Sequence, residues 1–344
     1  MRAVRLVAWQ SEPELCAIEV PEPGPGAVLV EVEATGLCHS DLHVMDWPAG
    51  TLAWELPVTL GHEVAGRVSA LGPGASGVEV GDPVLVYGPW GCGVCRQCVR
   101  GAENLCERAG ERPRAGCGLG FDGGLAEHVL VPSPRLLVQR GELDAVHAAP
   151  LTDAALTPYH ALKGELWRLH PGSSVVVIGV GGLGHVAVQL VRALSPARIV
   201  AIDPREASRR LALDAGAHAA LDSAGLRADD VRTETGPAGA ALVLDFVGSE
   251  ETIGVATSVL ATGGHVAIVG FGADTFSIER GKVPPEWSLG RPRWGTLPEL
   301  HEVVSLARAG MLEVEVETLP LADTVEGYRR LRRGEIAGRA VVVP

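Results

Sequence analysis

The stretch VVVIGVGGLGHVAVQLVRALSPARIVAID, Val175 to Asp203, holds a strand, a glycine turn, a helix and a second strand in one run. Val175 to Ile178 is an unbroken apolar segment, the pattern of a strand buried on both faces of a parallel sheet. Gly179, Gly181 and Gly184 follow in GxGxxG spacing, with Gly182 and Leu183 between them. Leu183, Val186, Ala187, Leu190, Val191 and Leu194 then recur at the three–four interval of a helix with one apolar face. Ile199 to Ile202 is a second apolar run, and it ends in Asp203, where a carboxylate meets the 2′-hydroxyl of an adenosine ribose. The first glycine permits the turn, the second lets backbone approach a pyrophosphate, and the third lets helix and strand pack closely. A glycine turn alone is weak evidence. The strand before it, the helix after it and the acid downstream together predict a dinucleotide site.

Outward from that stretch the chain has room for two domains, with 344 residues, 47% hydrophobic and 21% charged. A net charge of −13 and the lack of a dense Lys/Arg run exclude a nucleic-acid surface. No apolar run reaches the length needed to cross a bilayer and no leader pattern precedes the first strand, so the expectation is no membrane association and a cytoplasmic location.

Before residue 150 the chain has short β-type runs, such as Ala27 to Ala34 and Val64 to Leu71, separated by Pro and Gly turns, which predicts a compact β-barrel. From about 154 to 290 strands alternate with helices: a helix closing at Gly216, a strand at Ala241 to Val247, a helix after Ser249 and a strand at His265 to Gly270. The sheet wants a sixth strand in Lys282 to Gly295, yet that Pro/Gly/Trp-rich passage reads poorly as one. The tail offers a helix at Pro298 to Ala309, a strand near Val314 to Leu319, a helix at Thr324 to Arg333 and a strand at Ala340 to Val343, expected to return to the barrel.

Four of seven cysteines, Cys92, Cys95, Cys98 and Cys106, stand at C-x2-C-x2-C-x7-C spacing, suited to a closed tetrahedral zinc site. Four thiolates leave no open position, so that metal is structural and fixes a lobe over 89–108. Cys38 in Gly36-Leu-Cys-His-Ser-Asp41 and His62 in Gly61-His-Glu63 are ambiguous singly, since a buried Cys is ordinarily a small hydrophobe and a lone His a structural residue.

Cys38-His-Ser-Asp41, Gly61-His62-Glu63, the four-cysteine lobe and the glycine turn stand in the order and at the intervals of the zinc-containing medium-chain alcohol dehydrogenases, which the chain resembles over essentially its whole length. It is most similar to the bacterial secondary-alcohol dehydrogenases, because Pro150-Leu-Thr-Asp153 puts an Asp where many members carry a third cysteine ligand. Tyr87-Gly-Pro-Trp-Gly91 and Trp294-Gly-Thr296 fit the same branch. The resemblance implies an α/β protein: a GroES-like β-barrel catalytic domain over 1–153, a Rossmann doubly wound parallel-sheet domain over 154–292, and a return to the first domain over 293–344.

Residue by residue, it implies that Cys38, His62 and Asp153 bind a catalytic zinc with a fourth position open, that Glu63 can swing onto that metal, and that Asp41 orients the His62 ring. Asp41 also reads as a plain turn-capping residue. Ser40 and then His43 would take the alcohol proton, although His43 also fits a surface His on a helical turn. His39 and Arg339 would meet the cofactor pyrophosphate, with Arg339 clamping the two domains. Thr157, the turn Gly179 to Gly184, Asp203, Arg205, Val247, Val269 and Gly270 would complete the NAD(H) site. Trp54, Trp294 and Leu119 would line the substrate pocket, and each also reads as core.

The expected protein is therefore a homodimer or homotetramer with two Zn²⁺ per chain, passing hydride between secondary (and some primary) alcohols and NAD⁺. Polyol or amino-alcohol dehydrogenases share the metal pattern, with Arg291 or Arg293 placed to receive an anionic substrate. A nucleotide-binding protein without catalysis is the remaining alternative, against which the open metal position and Ser40 speak.

Overall fold

The computed structural model describes residues 1–52, 54–111, 115–273 and 275–344. The chain divides into two compact units, one of Met1–Asp153, Thr296–Arg308 and Val314–Pro344, the other of Ala154–Gly295 and Ala309–Glu313.

In the first unit, strand Val28–Gly36 sits at the centre of a seven-stranded sheet. Its antiparallel partners are Glu63–Leu71, His128–Val131 and the C-terminal strand Arg339–Val343, which in turn runs parallel to Val316–Pro320. The sheet continues from Glu63–Leu71 to Pro83–Val86 and Leu137–Gln139. A three-stranded sheet joins Glu14–Ala17, Arg2–Leu6 and Val58–Thr59. The tail thus returns to the β-rich unit, supplying helices Leu297–Arg308 and Thr324–Arg332 as well as the last two strands. Val4, Leu6, Leu37, Leu42, Leu60, Leu125, Leu331 and Val342 are among the residues of its buried core.

The second unit is a six-stranded, wholly parallel sheet. Its order is Ala219–Leu221, Arg198–Ile202, Ser174–Ile178, Ala240–Asp245, Leu260–Ile268, Ser288–Gly290. Ser174–Ile178 is buried at every position, which is why its sequence is apolar without alternation. The strand order reverses between Ser174–Ile178 and Ala240–Asp245, the crevice where open α/β sheets bind ligands. The sixth strand does form, but only over Ser288–Gly290. His265 Nδ1 stands 2.8 Å from Ser288 Oγ and fastens it to the fifth strand. Ala309–Glu313, expected with the return segment, belongs to this unit because Gln189 and Glu313 exchange two hydrogen bonds of 2.7 and 2.9 Å. Among the described residues no helix is long and apolar enough to cross a membrane.

Candidate active site

Three elements of the first unit bring Cys38, His62 and Asp153 together. Cys38 caps helix His39–Asp46, His62 immediately precedes strand Glu63–Leu71, and Asp153 ends the short helical turn Ala149–Thr152. All three are buried, and their donor atoms lie within 4.8 Å of one another. Asp153 Oδ2 is 3.5 Å from Cys38 Sγ and 3.6 Å from His62 Nε2. A tetrahedral Zn²⁺ with bonds of about 2.0–2.3 Å sets its ligand atoms roughly 3.3–3.8 Å apart, so a thiolate, an imidazole and a carboxylate at this spacing fit the metal and leave the fourth corner to another group.

Asp41 does both things its sequence position allowed. Its Oδ2 accepts the backbone N–H of Cys38 at 3.1 Å, capping the helix, while Oδ1 lies 3.2 Å from His62 Nδ1 and so turns Nε2 toward Cys38 and Asp153. Ser40 Oγ stands 3.6 Å from the Cys38 sulfur. His43, one turn on, is half-buried, and burial holds its imidazole below the usual range against the opposing charge of Asp46. His39 is exposed on the same helix.

Glu63 and Arg339 form a buried ion pair beside this set. Arg339 donates to Glu63 through Nε at 2.8 Å and Nη2 at 2.7 Å, both side chains fully enclosed, and Nη2 is also 3.4 Å from Asp153 Oδ2. The guanidinium thus rests between the Glu63 and Asp153 carboxylates, and both Glu63 oxygens accept from it. Burial pushes Glu63 up, to about 7, with Arg339 pulling the other way. Gly36 makes room for this pair, because a Cβ there would stand 1.8 Å from Glu63 Oε2. Trp54 and Leu119 both pack on the apolar core of this unit, with the Trp54 ring 6.4 Å from that of Trp9.

In the lobe, Cys92, Cys95, Cys98 and Cys106 also place their sulfurs within 4.8 Å of one another. Cys98 Sγ is 3.4 Å from that of Cys95 and 3.9 Å from that of Cys92, close to the ~3.8 Å edge of a tetrahedron with metal–sulfur bonds of about 2.3 Å. Backbone N–H groups of residues 92, 95 and 98 point at the sulfurs of Cys106, Cys92 and Cys95. The N–H of Cys98 in particular pulls the Cys95 thiol down to about 6, whereas burial pushes Cys98 up to about 12. Those N–H groups favour negative charge on Cys92, Cys95 and Cys106, whereas Cys98 would need a metal to hold its thiolate. None of the seven cysteines is in a disulfide.

In the second unit the glycine turn leads into helix Gly184–Leu194, and a Cβ on Gly184 would lie 2.0 Å from the Gly179 carbonyl oxygen. Asp203 is buried. Its Oδ2 accepts the N–H of Val180 at 2.8 Å, and its Oδ1 accepts the backbone N–H and Nε of Arg205 at 2.9 and 3.2 Å. Acid and guanidinium, both expected at the cofactor site, form one pair here. Thr157 is buried in helix Leu156–Lys163. Trp294 is buried at φ +51, a left-handed backbone that costs a bulky residue on the order of 1–3 kcal/mol.

Asp245 was not singled out from sequence. Fully buried at the end of its strand, it accepts the N–H groups of Val247 and Gly248 at 2.9 Å and the Thr252 hydroxyl at 2.8 Å, and its carbonyl receives Val269 and Gly270. One residue thus shapes the loops that carry Val247, Val269 and Gly270. The signal was present as an acid closing an apolar strand ahead of Phe-Val-Gly-Ser.

Comparison with known proteins agrees with this geometry. The family described as alcohol dehydrogenase GroES-like domain matches residues 24–140, and that described as zinc-binding dehydrogenase matches residues 182–288. The chain is 37% identical to an NAD-dependent alcohol dehydrogenase of Sulfurisphaera tokodaii, over 100% of both chains. It is 32% identical to a D-arabinose 1-dehydrogenase (NADP(+)) of Saccharolobus solfataricus, covering 95% of this chain and 93% of the relative. Among solved structures, the alcohol dehydrogenase of Aeropyrum pernix superposes with a TM-score of 0.92 at 33% identity over 100% of both chains.

Proposed function

The chain belongs to the zinc-binding alcohol dehydrogenase family, and on that premise we propose that it is an NAD-dependent oxidoreductase that interconverts secondary alcohols and ketones. The observation that carries the reading is the buried Cys38–His62–Asp153 set with Asp41 behind the imidazole, since a protein that only binds nucleotide needs no three-donor centre with an open corner. Zinc bound there acts as a Lewis acid on the alcohol oxygen, and NAD⁺ supplies the hydride acceptor. Ser40, beside Cys38, accepts the hydroxyl proton, and His43 carries it onward. Trp54 and Leu119 offer apolar surface, which suits a ketone with hydrocarbon substituents better than a sugar, whose hydroxyls need hydrogen-bond partners. The sugar reading keeps the support of the arabinose relative. The anionic-substrate reading is weakened where Arg291 stacks on Phe271, 4.6 Å from the ring centroid. We take the protein to be a cytoplasmic homodimer or homotetramer.

Initial rates on 2-butanol, 1-phenylethanol, sorbitol, D-arabinose and threonine, each with NAD⁺ and NADP⁺, test the reading. The secondary alcohols with NAD⁺ should lead; a lead for sorbitol, arabinose or threonine would replace the substrate class.

Asp203 selects the cofactor by accepting the ribose hydroxyls and repelling a 2′-phosphate, a discrimination on the order of 10²-fold in kcat/KM. Because Asp203 also holds the Val180 N–H, Asp203→Gly should lower kcat/KM for NAD⁺ through a loosened glycine turn as well as a lost ribose contact. The Arg205 guanidinium, released from its carboxylate, should raise kcat/KM for NADP⁺. Equal kcat/KM for both cofactors in the wild type would remove Asp203 as selector.

A further inference from the structure

The four-cysteine lobe carries a charge problem of its own. Four thiolates around Zn²⁺ sum to −2, and beside them the chain buries another acid. Glu103 opens the short helical turn Glu103–Leu105, and its side chain is 1% exposed. A Cβ built on Gly91 would stand 2.4 Å from Cys98 Sγ and 3.1 Å from Glu103 Cγ, so the sulfur and the acid's stem share one small space. A buried carboxylate next to a thiolate cluster destabilises both unless a cation answers it.

Among the described residues the cation paired with Glu103 is Arg135, which lies 32 positions away in the turn Pro134–Leu136. Its Nη2 donates to Glu103 Oε1 and, at 3.1 Å, to the backbone carbonyl of Cys98. The barrel fixes Arg135: Ser133 caps its turn, the Leu136 carbonyl accepts the Tyr87 N–H at 2.8 Å, and the next residues pair with Pro83–Val86.

We propose that Arg135 is a positioning residue for the lobe metal, holding Cys98 in place through its carbonyl and pairing the Glu103 carboxylate that lies beside the sulfurs. The inference rests on the lobe being a zinc site. It explains why an acid is tolerated there, and it makes metal retention in the lobe depend on a barrel residue that touches no sulfur.

The test is zinc release to a colorimetric chelator from the full-length protein carrying Asp153→Ala, so that the lobe holds the only zinc. Arg135→Leu should speed release at least tenfold, Arg135→Lys by less, and Glu103→Gln alone should not speed it. Arg135→Leu combined with Glu103→Gln should return to within about threefold of the parent, because no unpaired carboxylate is then left beside the sulfurs. Release from Arg135→Leu within threefold of the parent, or an equal acceleration with Glu103 neutral, would overturn the proposal. A parent protein without zinc would instead overturn the lobe as a metal site, and this role with it.

Discussion

The lobe and the catalytic centre place their donor atoms at similar spacings, and the chain builds them in opposite ways. The lobe draws its sulfurs from residues 92–106, and the N–H groups that prepare them come from the same loop. The centre draws on residues 38, 62 and 153, carried by three elements, and two of its donors meet a group from elsewhere: His62 meets Asp41 and Asp153 meets Arg339. The first is a local device that needs its metal because it has little core; the second is a product of the finished sheet, so its shape should depend less on its metal. One therefore shows in the cysteine spacing, and the other only once the chain is folded.

The comparison breaks first at the ligands. Asp153→Ala should cut kcat/KM by on the order of 10³-fold or more while leaving a folded protein with one zinc, since the several kcal/mol of Lewis-acid stabilisation go and the sheet stays. Cys95→Ser should do the reverse, lowering solubility and melting temperature before it touches chemistry. Metal analysis with circular dichroism distinguishes them. One zinc in the active wild type, or an unfolded Asp153→Ala, would erase the contrast.

A smaller effect sharpens it. Asp41→Asn keeps the shape but weakens the hold on His62, so affinity for the catalytic zinc should fall roughly 10–100-fold with the lobe zinc untouched. Equal loss from both sites in a chelator titration would mean that the two centres are not independent.

The smallest effect should come from His43→Ala, which touches neither metal. Burial holds the His43 imidazole below its usual range, so its neutral, proton-accepting form extends further toward acid. Alcohol oxidation should fall about tenfold in the variant, most below neutral pH where solvent is a poor base, with both zincs retained. An unchanged pH profile would return His43 to an ordinary surface residue.

What could be read in advance followed the same division. The glycine turn, the cysteine lobe and the buried strands stood out because each is encoded by neighbours in sequence. Ser288–Gly290 did not, because three residues between Pro and Trp carry no period and the strand is fixed by His265. Nor did the Arg339–Glu63 pair, Arg205 resting on Asp203, or Asp245 shaping two loops, because each depends on which side chain a fold brings opposite a buried acid. Glu63 and Asp203 were visible as acids, but their partners were not, and Asp245 was missed altogether.

The C-terminal strand Arg339–Val343 has one more consequence. It lies inside the sheet, between Val28–Gly36 and Val316–Pro320, and brings the guanidinium that holds Glu63. During synthesis the nucleotide unit, nearly all of it in Ala154–Gly295, can close while the ribosome is still at work, and the lobe has its cysteines long before that. The catalytic unit must wait with an open seam in its sheet until Arg339–Val343 emerges. Maturation therefore has a built-in order in which the capacity to hold a nucleotide precedes the capacity to use it, and a chain ending before Arg339 would keep the first and lose the second.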